Sequence, residues 1–276
     1  MKNILVPTDF SENCTKAANL GIEMAKLYDA EIHFFHLIHT PVDWVKLDKL
    51  KEKRYPETLS QIGVAKAALR ELEKKAEKEG LKCQTFLEYQ IETTNILKHS
   101  GHFHHDFIIT GSSGTKGTVR ELLGSNVEKI IRKSDVPVIV VKGDDVGFPF
   151  KNIVFVSDFM EDVSGAFEHV ISIAKKCNAH IRLLRINTQT DTNSIAAGLD
   201  PIKRFLEKFP DLKNYSLYVN NEPSVETGIN TFVKHEPTDL ITMSTHGSTG
   251  FLSLFSKSIA EGMANHSALP VMTIKI

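Results

Sequence analysis

The chain carries one set of motifs twice, in the same order, and that duplication limits it to two copies of one domain. Lys2-Asn3-Ile4-Leu5-Val6-Pro7-Thr8-Asp9-Phe10 matches Lys151-Asn152-Ile153-Val154-Phe155-Val156-Ser157-Asp158-Phe159. Asp106-Phe107-Ile108-Ile109-Thr110 matches Asp239-Leu240-Ile241-Thr242-Met243, and Ser134-Asp135-Val136-Pro137-Val138 matches Ser267-Ala268-Leu269-Pro270-Val271. The offset falls from 149 residues at the first match to 133 at the later ones, so the second copy is shorter in its middle. Such a period lies far above the ~20–50 residues of solenoid units. The 276 residues therefore divide into 1–145 and 146–276, across the linker-like stretch Gly143-Asp144-Asp145-Val146-Gly147-Phe148-Pro149.

Within each copy, short apolar runs alternate with helical patterns. Ile4–Val6 precedes a helix capped by Ser11, with small or apolar residues at Cys14, Ala17, Ala18, Gly21, Met24 and Ala25 in an i, i+3, i+4 stripe. Strands follow at Ile32–Ile38, Thr85–Tyr89, Phe107–Ile109 and Val136–Val141, with helices around Leu59–Ala76, Thr94–His99 and Ser125–Arg132. The second copy places strands near Ile153–Val156, Ile181–Ile186, Ser216–Val219, Leu240–Met243 and Val271–Ile274. This order predicts an α/β fold of two doubly wound domains, each a parallel sheet with helices on both faces. Ligands of such sheets bind beyond the carboxyl ends of the strands, where strand order reverses. Asp9 and Gly111 both fall at strand ends, so they can meet in one crevice from about a hundred residues apart.

One loop of each copy has phosphate-holding chemistry written into its spacing. Gly111-Ser112-Ser113-Gly114 is followed, nine residues on, by Gly124-Ser125 and then by an amphipathic segment. Small residues let backbone N–H groups approach an anion, and a helix N-terminus adds partial positive charge. The second copy reads Ser244-Thr245-His246-Gly247 and, nine residues on, Lys257-Ser258. A Cβ where backbone must meet phosphate is a steric obstacle, so nucleotide binding is expected in the first copy alone.

With the strand-one signature Val6-Pro7-Thr8-Asp9-Phe10-Ser11 and the G-x2-G-x9-G-[ST] loop together, the chain resembles the universal stress protein family in its tandem two-domain form. The resemblance covers nearly all of both halves. It implies a five-stranded sheet of order 3-2-1-4-5 in each half, with the halves paired through their fifth strands, and leaves a further homodimer open. It also implies ATP as ligand, with or without Mg²⁺. Pro7, Thr8 and Asp9 would stand at the base and ribose end and Leu37, after His36, near the base. Gly111, Gly114, Gly124, Ser125 and Asn126 would hold the phosphates. Family members often carry His where Ser113 stands and Val where Asn126 stands, and a G-x-P turn usual after strand three is absent at Gln90-Ile91-Glu92.

Composition excludes several other classes. Thirty-three basic residues against 34 acidic ones give a net charge of −1, no basis for nucleic acid or an anionic membrane surface. The chain opens directly on Ile4-Leu5-Val6 without a leader pattern, and no apolar run nears the ~18 residues of a membrane span. Cys14, Cys83 and Cys177 show no CxxC spacing, so neither a disulfide framework nor a zinc motif is expected. The economical reading is a reduced, cytoplasmic protein. His99, His102, His104 and His105 lie where a helix runs out, and read as a solvated loop rather than a metal site. Trp44 reads either as a cover over the nucleotide or as packing under a surface helix. GxxxxGK[ST], G-x-S-x-G and HExxH are all absent, so any ATP hydrolysis would be slow. The resemblance thus implies an ATP-binding stress-response protein, with a nucleotide-independent interaction scaffold and a weak ATP hydrolase as the alternatives.

Overall fold

A computed structural model describes residues 1–90, 95–112, 125–143, 146–188, 195–245 and 257–276. The first half runs β1 (Asn3–Pro7), α1 (Glu12–Tyr28), β2 (Glu31–His39), α2 (Lys49–Glu52), α3 (Pro56–Lys78), β3 (Cys83–Gln90), α4 (Asn95–His102), β4 (Phe107–Gly111), α5 (Ser125–Lys133) and β5 (Val138–Val141). The second runs β6 (Asn152–Val156), α6 (Ser164–Cys177), β7 (His180–Asn187), α7 (Ile195–Leu206), β8 (Tyr215–Asn221), α8 (Val225–His235), β9 (Leu240–Thr245), α9 (Lys257–His266) and β10 (Val271–Lys275). The expected strands and helices are all present. β5 begins two residues later than its apolar run, just beyond Pro137, which has no N–H to give a ladder.

All ten strands join one sheet of order β3-β2-β1-β4-β5-β10-β9-β6-β7-β8. Each half is thus parallel within itself and ordered 3-2-1-4-5. At the centre β5 and β10 run antiparallel, with Val140 opposite Val271, Ile139 opposite Met272 and Val138 opposite Thr273. Three polar ties flank this seam: Lys142 Nζ to the Asn265 carbonyl at 2.7 Å, Lys275 to Asp135 at 2.7 Å and Arg132 to Glu261 at 3.3 Å.

Strands buried on both faces explain the continuous apolar runs. One face carries α1, α3, α6 and α7 over a cluster that spans both halves, from Ile4, Phe34 and Ile109 to Phe155, Phe167 and Ile202. The other face carries α5 over Leu5, Phe35 and Ile108, and α8 and α9 over Val154, Leu184 and Ile241. α1 starts at Ser11, whose hydroxyl accepts from Cys14 N, and stops at Asp29 in the left-handed region. Asn178 ends α6 in the same conformation.

A carboxylate pins the first strand of each half. Asp106 Oδ2 accepts from Lys2 N at 2.6 Å and Asn3 N at 3.0 Å, and Asp239 Oδ2 accepts from Lys151 N at 2.6 Å and Asn152 N at 2.8 Å. Asp239→Ala would leave two strand-opening N–H groups to water. We expect a loss of ~1.5 kcal/mol, read from the urea midpoint; an unchanged midpoint would show that water replaces the carboxylate fully.

Candidate functional site

The carboxyl ends of β1, β2 and β4 bring most of the expected site residues to one edge. Pro7 is the last residue of β1, opposite Phe35, and Thr8 N donates to the Phe35 carbonyl at 2.9 Å. The chain then turns sharply. Thr8 Oγ1 accepts from Phe10 N at 3.0 Å, and Asp9 Oδ1 accepts from Ser11 N at 2.9 Å. Phe10 consequently takes φ 64°, a strained value for a bulky residue. Phe159 takes φ 56° in the matching turn, where Ser157 Oγ accepts from Phe159 N and Asp158 Oδ1 from Met160 N, both at 3.0 Å. The strained turn therefore belongs to the fold of both halves rather than to one ligand.

Asp9 is exposed whereas Asp158 is buried, so the two carboxylates differ in what they can reach. His36, beside Asp9, donates from Nδ1 to the Thr8 carbonyl at 2.6 Å and packs on Phe10, tilted, with centroids 4.4 Å apart. Burial pushes the His36 imidazole below its ordinary pKa, against the opposite pull of the Thr8 carbonyl and Asp9. The ring is neutral at pH 7, and because a carbonyl only accepts, its Nε2 presents a lone pair. In the second half Arg185 holds the matching position, buried, with no hydrogen-bond partner on Nε among the described residues.

Leu37 points to the opposite face of the sheet, into the cluster with Phe35, Val127 and Ile130. It shares that face with α5, so the expected base-side residue and the helix opened by Ser125 sit on the same side. Asn126 is half-buried in the first turn of α5. Gly114 and Gly124 lie outside the described residues.

Gly111 closes β4 and faces α1. A Cβ there would stand 2.6 Å from Asn13 C and Cys14 N, and 2.9 Å from Asn13 O. The first turn of α1 presses on this residue, which explains the glycine by packing alone. The next residue, Ser112, is buried, gives its N–H to the Val141 carbonyl and accepts from Asn13 Nδ2 at 3.2 Å. Ser244 can replace glycine in the second half because α6 starts only at Ser164. The counterparts of α1's first turn, residues 161–163, precede that helix and leave room for a hydroxymethyl group.

Outside this edge, one open reading is decided and another is corrected. Trp44 packs with Ile38, Ile62 and Ala65, near Tyr55 and Tyr89, and so fills space under α3. Two of the histidines around residue 100 do not belong to a solvated loop. His99 and His105 are buried at 5% and 4% exposure and meet His33 of β2, which is 2% exposed. His33 is invisible from spacing alone, although strand alternation puts it on the same face as Phe35. Desolvation pushes His105 down to about 4, so it stays neutral in place.

Comparison with known proteins agrees with this geometry. The model of the Universal stress protein family matches residues 1–142. Universal stress protein MJ0531 of Methanocaldococcus jannaschii is 32% identical over 143 residues, covering 51% of this chain and 82% of that protein. Universal stress protein YxiE of Bacillus subtilis is 27% identical over 153 residues, covering 50% and 97%. A universal stress protein structure from Archaeoglobus fulgidus superposes with a TM-score of 0.75 at 22% identity, over 99% of this chain and 98% of that one, which speaks for the fold. A family model over half the length, the duplicated 3-2-1-4-5 sheet and the strand-one turn all agree: the chain belongs to the universal stress protein family.

Proposed function

We propose that residues 1–145 form an ATP-binding domain and that residues 146–276 form its pairing and regulatory partner in a cytoplasmic stress response. The observation that carries this reading is the gathering of Thr8, Asp9, Ser112 and the N-terminus of α5 at one strand-end edge. Charge divides this edge into two ends. The N-terminus of a nine-residue helix favours the phosphates, with Gly111, Gly114, Gly124, Ser125 and Asn126 leading into it. The Asp9 carboxylate would repel phosphate, so it belongs at the ribose and base end with Pro7, Thr8 and Leu37. In the partner domain the same edge holds a buried Asp158, a buried Arg185 and Lys257 in place of the third glycine. That edge is built for something other than the same nucleotide. The β5–β10 seam gives the two domains their pairing surface.

The test uses the second domain's own residue as the mutation. Gly124→Lys should weaken ATP binding by at least about tenfold, equivalent to ~1.4 kcal/mol, while the melting temperature holds. Calorimetry on the full-length wild type and variant, with and without Mg²⁺, would decide. Equal or tighter binding by the variant would remove the loop as the phosphate site and leave the interaction scaffold as the better account.

A further inference from the structure

The buried histidines of the first half constrain one another's donors and acceptors. His105 Nδ1 lies 3.2 Å from the Ser100 carbonyl, and its Nε2 lies 2.8 Å from His33 Nδ1. The carbonyl only accepts, so His105 Nδ1 carries the hydrogen, and the Nε2 of this neutral ring is a lone pair. His33 Nδ1 must then donate. His33 Nε2, buried and without a hydrogen-bond partner among the described residues, stands 3.2 Å from the Glu31 carboxylate. In the neutral ring this nitrogen is a lone pair facing an anion.

We propose that His33, His99 and His105 form a buried site for a zinc-like divalent cation. One nitrogen from each ring lies within 4.8 Å of the others. Zinc–nitrogen bonds of ~2.0–2.1 Å in tetrahedral geometry put ligand nitrogens about 3.3 Å apart. The 2.8 Å pair has only to part by about half an ångström and the third ring to close in. With the metal in place every tautomer is consistent. His105 Nδ1–H donates to Ser100, His33 Nε2–H to Glu31, and His99 Nδ1–H to Glu88, which stands 3.5 Å away. A ligating histidine whose other nitrogen meets a carboxylate or backbone carbonyl is the usual outer arrangement of such sites, and here all three histidines have it.

The surroundings support the assignment. Phe86 and Phe103 ring His99 with centroids 4.4 and 4.6 Å away, so the centre is walled by apolar rings and three neutral imidazoles supply the donors. Imidazole donors suit zinc, copper or nickel rather than magnesium or calcium. The site ties α4 and the turn before β4 to β2. Because His105 lies before β4 and Gly111 ends it, the cluster sits at the other end of that strand from the proposed nucleotide edge. The fourth position is left to water.

Full-length protein stripped with a chelator and titrated with Zn²⁺ should take up one ion per chain, with a Kd tighter than about 1 µM. His99→Gln and His105→Gln should each weaken this by at least about tenfold. His104→Gln, at the exposed neighbour, should leave it unchanged. If the ligand variants do not fold, X-ray absorption on the zinc-loaded wild type still decides, with three imidazoles expected. Absence of tight uptake, fewer than three imidazoles, or full binding in both ligand variants would overturn the proposal.

Discussion

Gly143→Val is expected to destabilise the chain by at least about 3 kcal/mol, lowering the melting temperature by about 6–10 °C. A Cβ at residue 143 would overlap the Ala268 carbonyl oxygen and stand 3.0 Å from its carbon. Neither atom belongs to a flexible side chain that could swing away. Relief must come from moving residue 143 or the turn before β10 by about 1.5 Å, the gap between that overlap and an ordinary contact. Residue 143 follows β5 closely and Ala268 precedes β10 closely, so the movement lands on the antiparallel register of Val138, Ile139 and Val140. Opened, the seam would expose two apolar strand edges and invite association between chains. Gly147→Val is the control, since a Cβ there meets nothing within 4 Å. Equal melting temperatures for the two variants, with no new association on a sizing column, would show that the seam does not depend on this approach.

The second large effect is expected at Gly111→Ser, which would install the residue type that the second half already carries at Ser244. In the first half the new Cβ would press on the backbone of Asn13 and Cys14 at 2.6 Å. The first turn of α1 would have to lift from the sheet or unwind to the start seen in α6. Unwinding forfeits the Ser11 cap, and lifting opens the packing around Ala17 and Ala18. A loss of about 2–3 kcal/mol is expected, measured by urea denaturation of the full chain. The reverse replacement, Ser244→Gly, should cost under about 1 kcal/mol, since nothing there demands a side chain. Equal costs at the two positions would mean that helix start and strand-end residue are not matched as argued.

The elements legible in the sequence are those whose signal is local. Apolar runs mark the strands, the stripe from Cys14 to Ala25 marks α1, and the motif matches mark the duplication. The shortened middle of the second copy appears as α7 of 12 residues where the first half has α3 of 23. What escapes depends on contacts between distant residues. Spacing gives no sign that α1, almost a hundred residues earlier, presses on Gly111. His99 and His105 are not spaced to share a helix face. His104, at φ 49°, turns the chain after α4 and carries His105 back beneath the sheet, where His33 waits on another strand. Strand alternation can find His33. It cannot supply its partners.

The mismatch between Gly111 and Ser244 has a consequence for how this molecule can change. In an assembly of two identical subunits, a mutation at one site is a mutation at both, and each must satisfy two environments at once. Here the matched positions are separate codons under separate selection. A variant that ruins one strand-end crevice leaves the other as it was, so one copy can keep an old ligand while the other drifts towards a new one. The unequal helix starts at Glu12 and Ser164 are the physical trace of that freedom: each copy has settled its own compromise between a side chain and the turn that faces it.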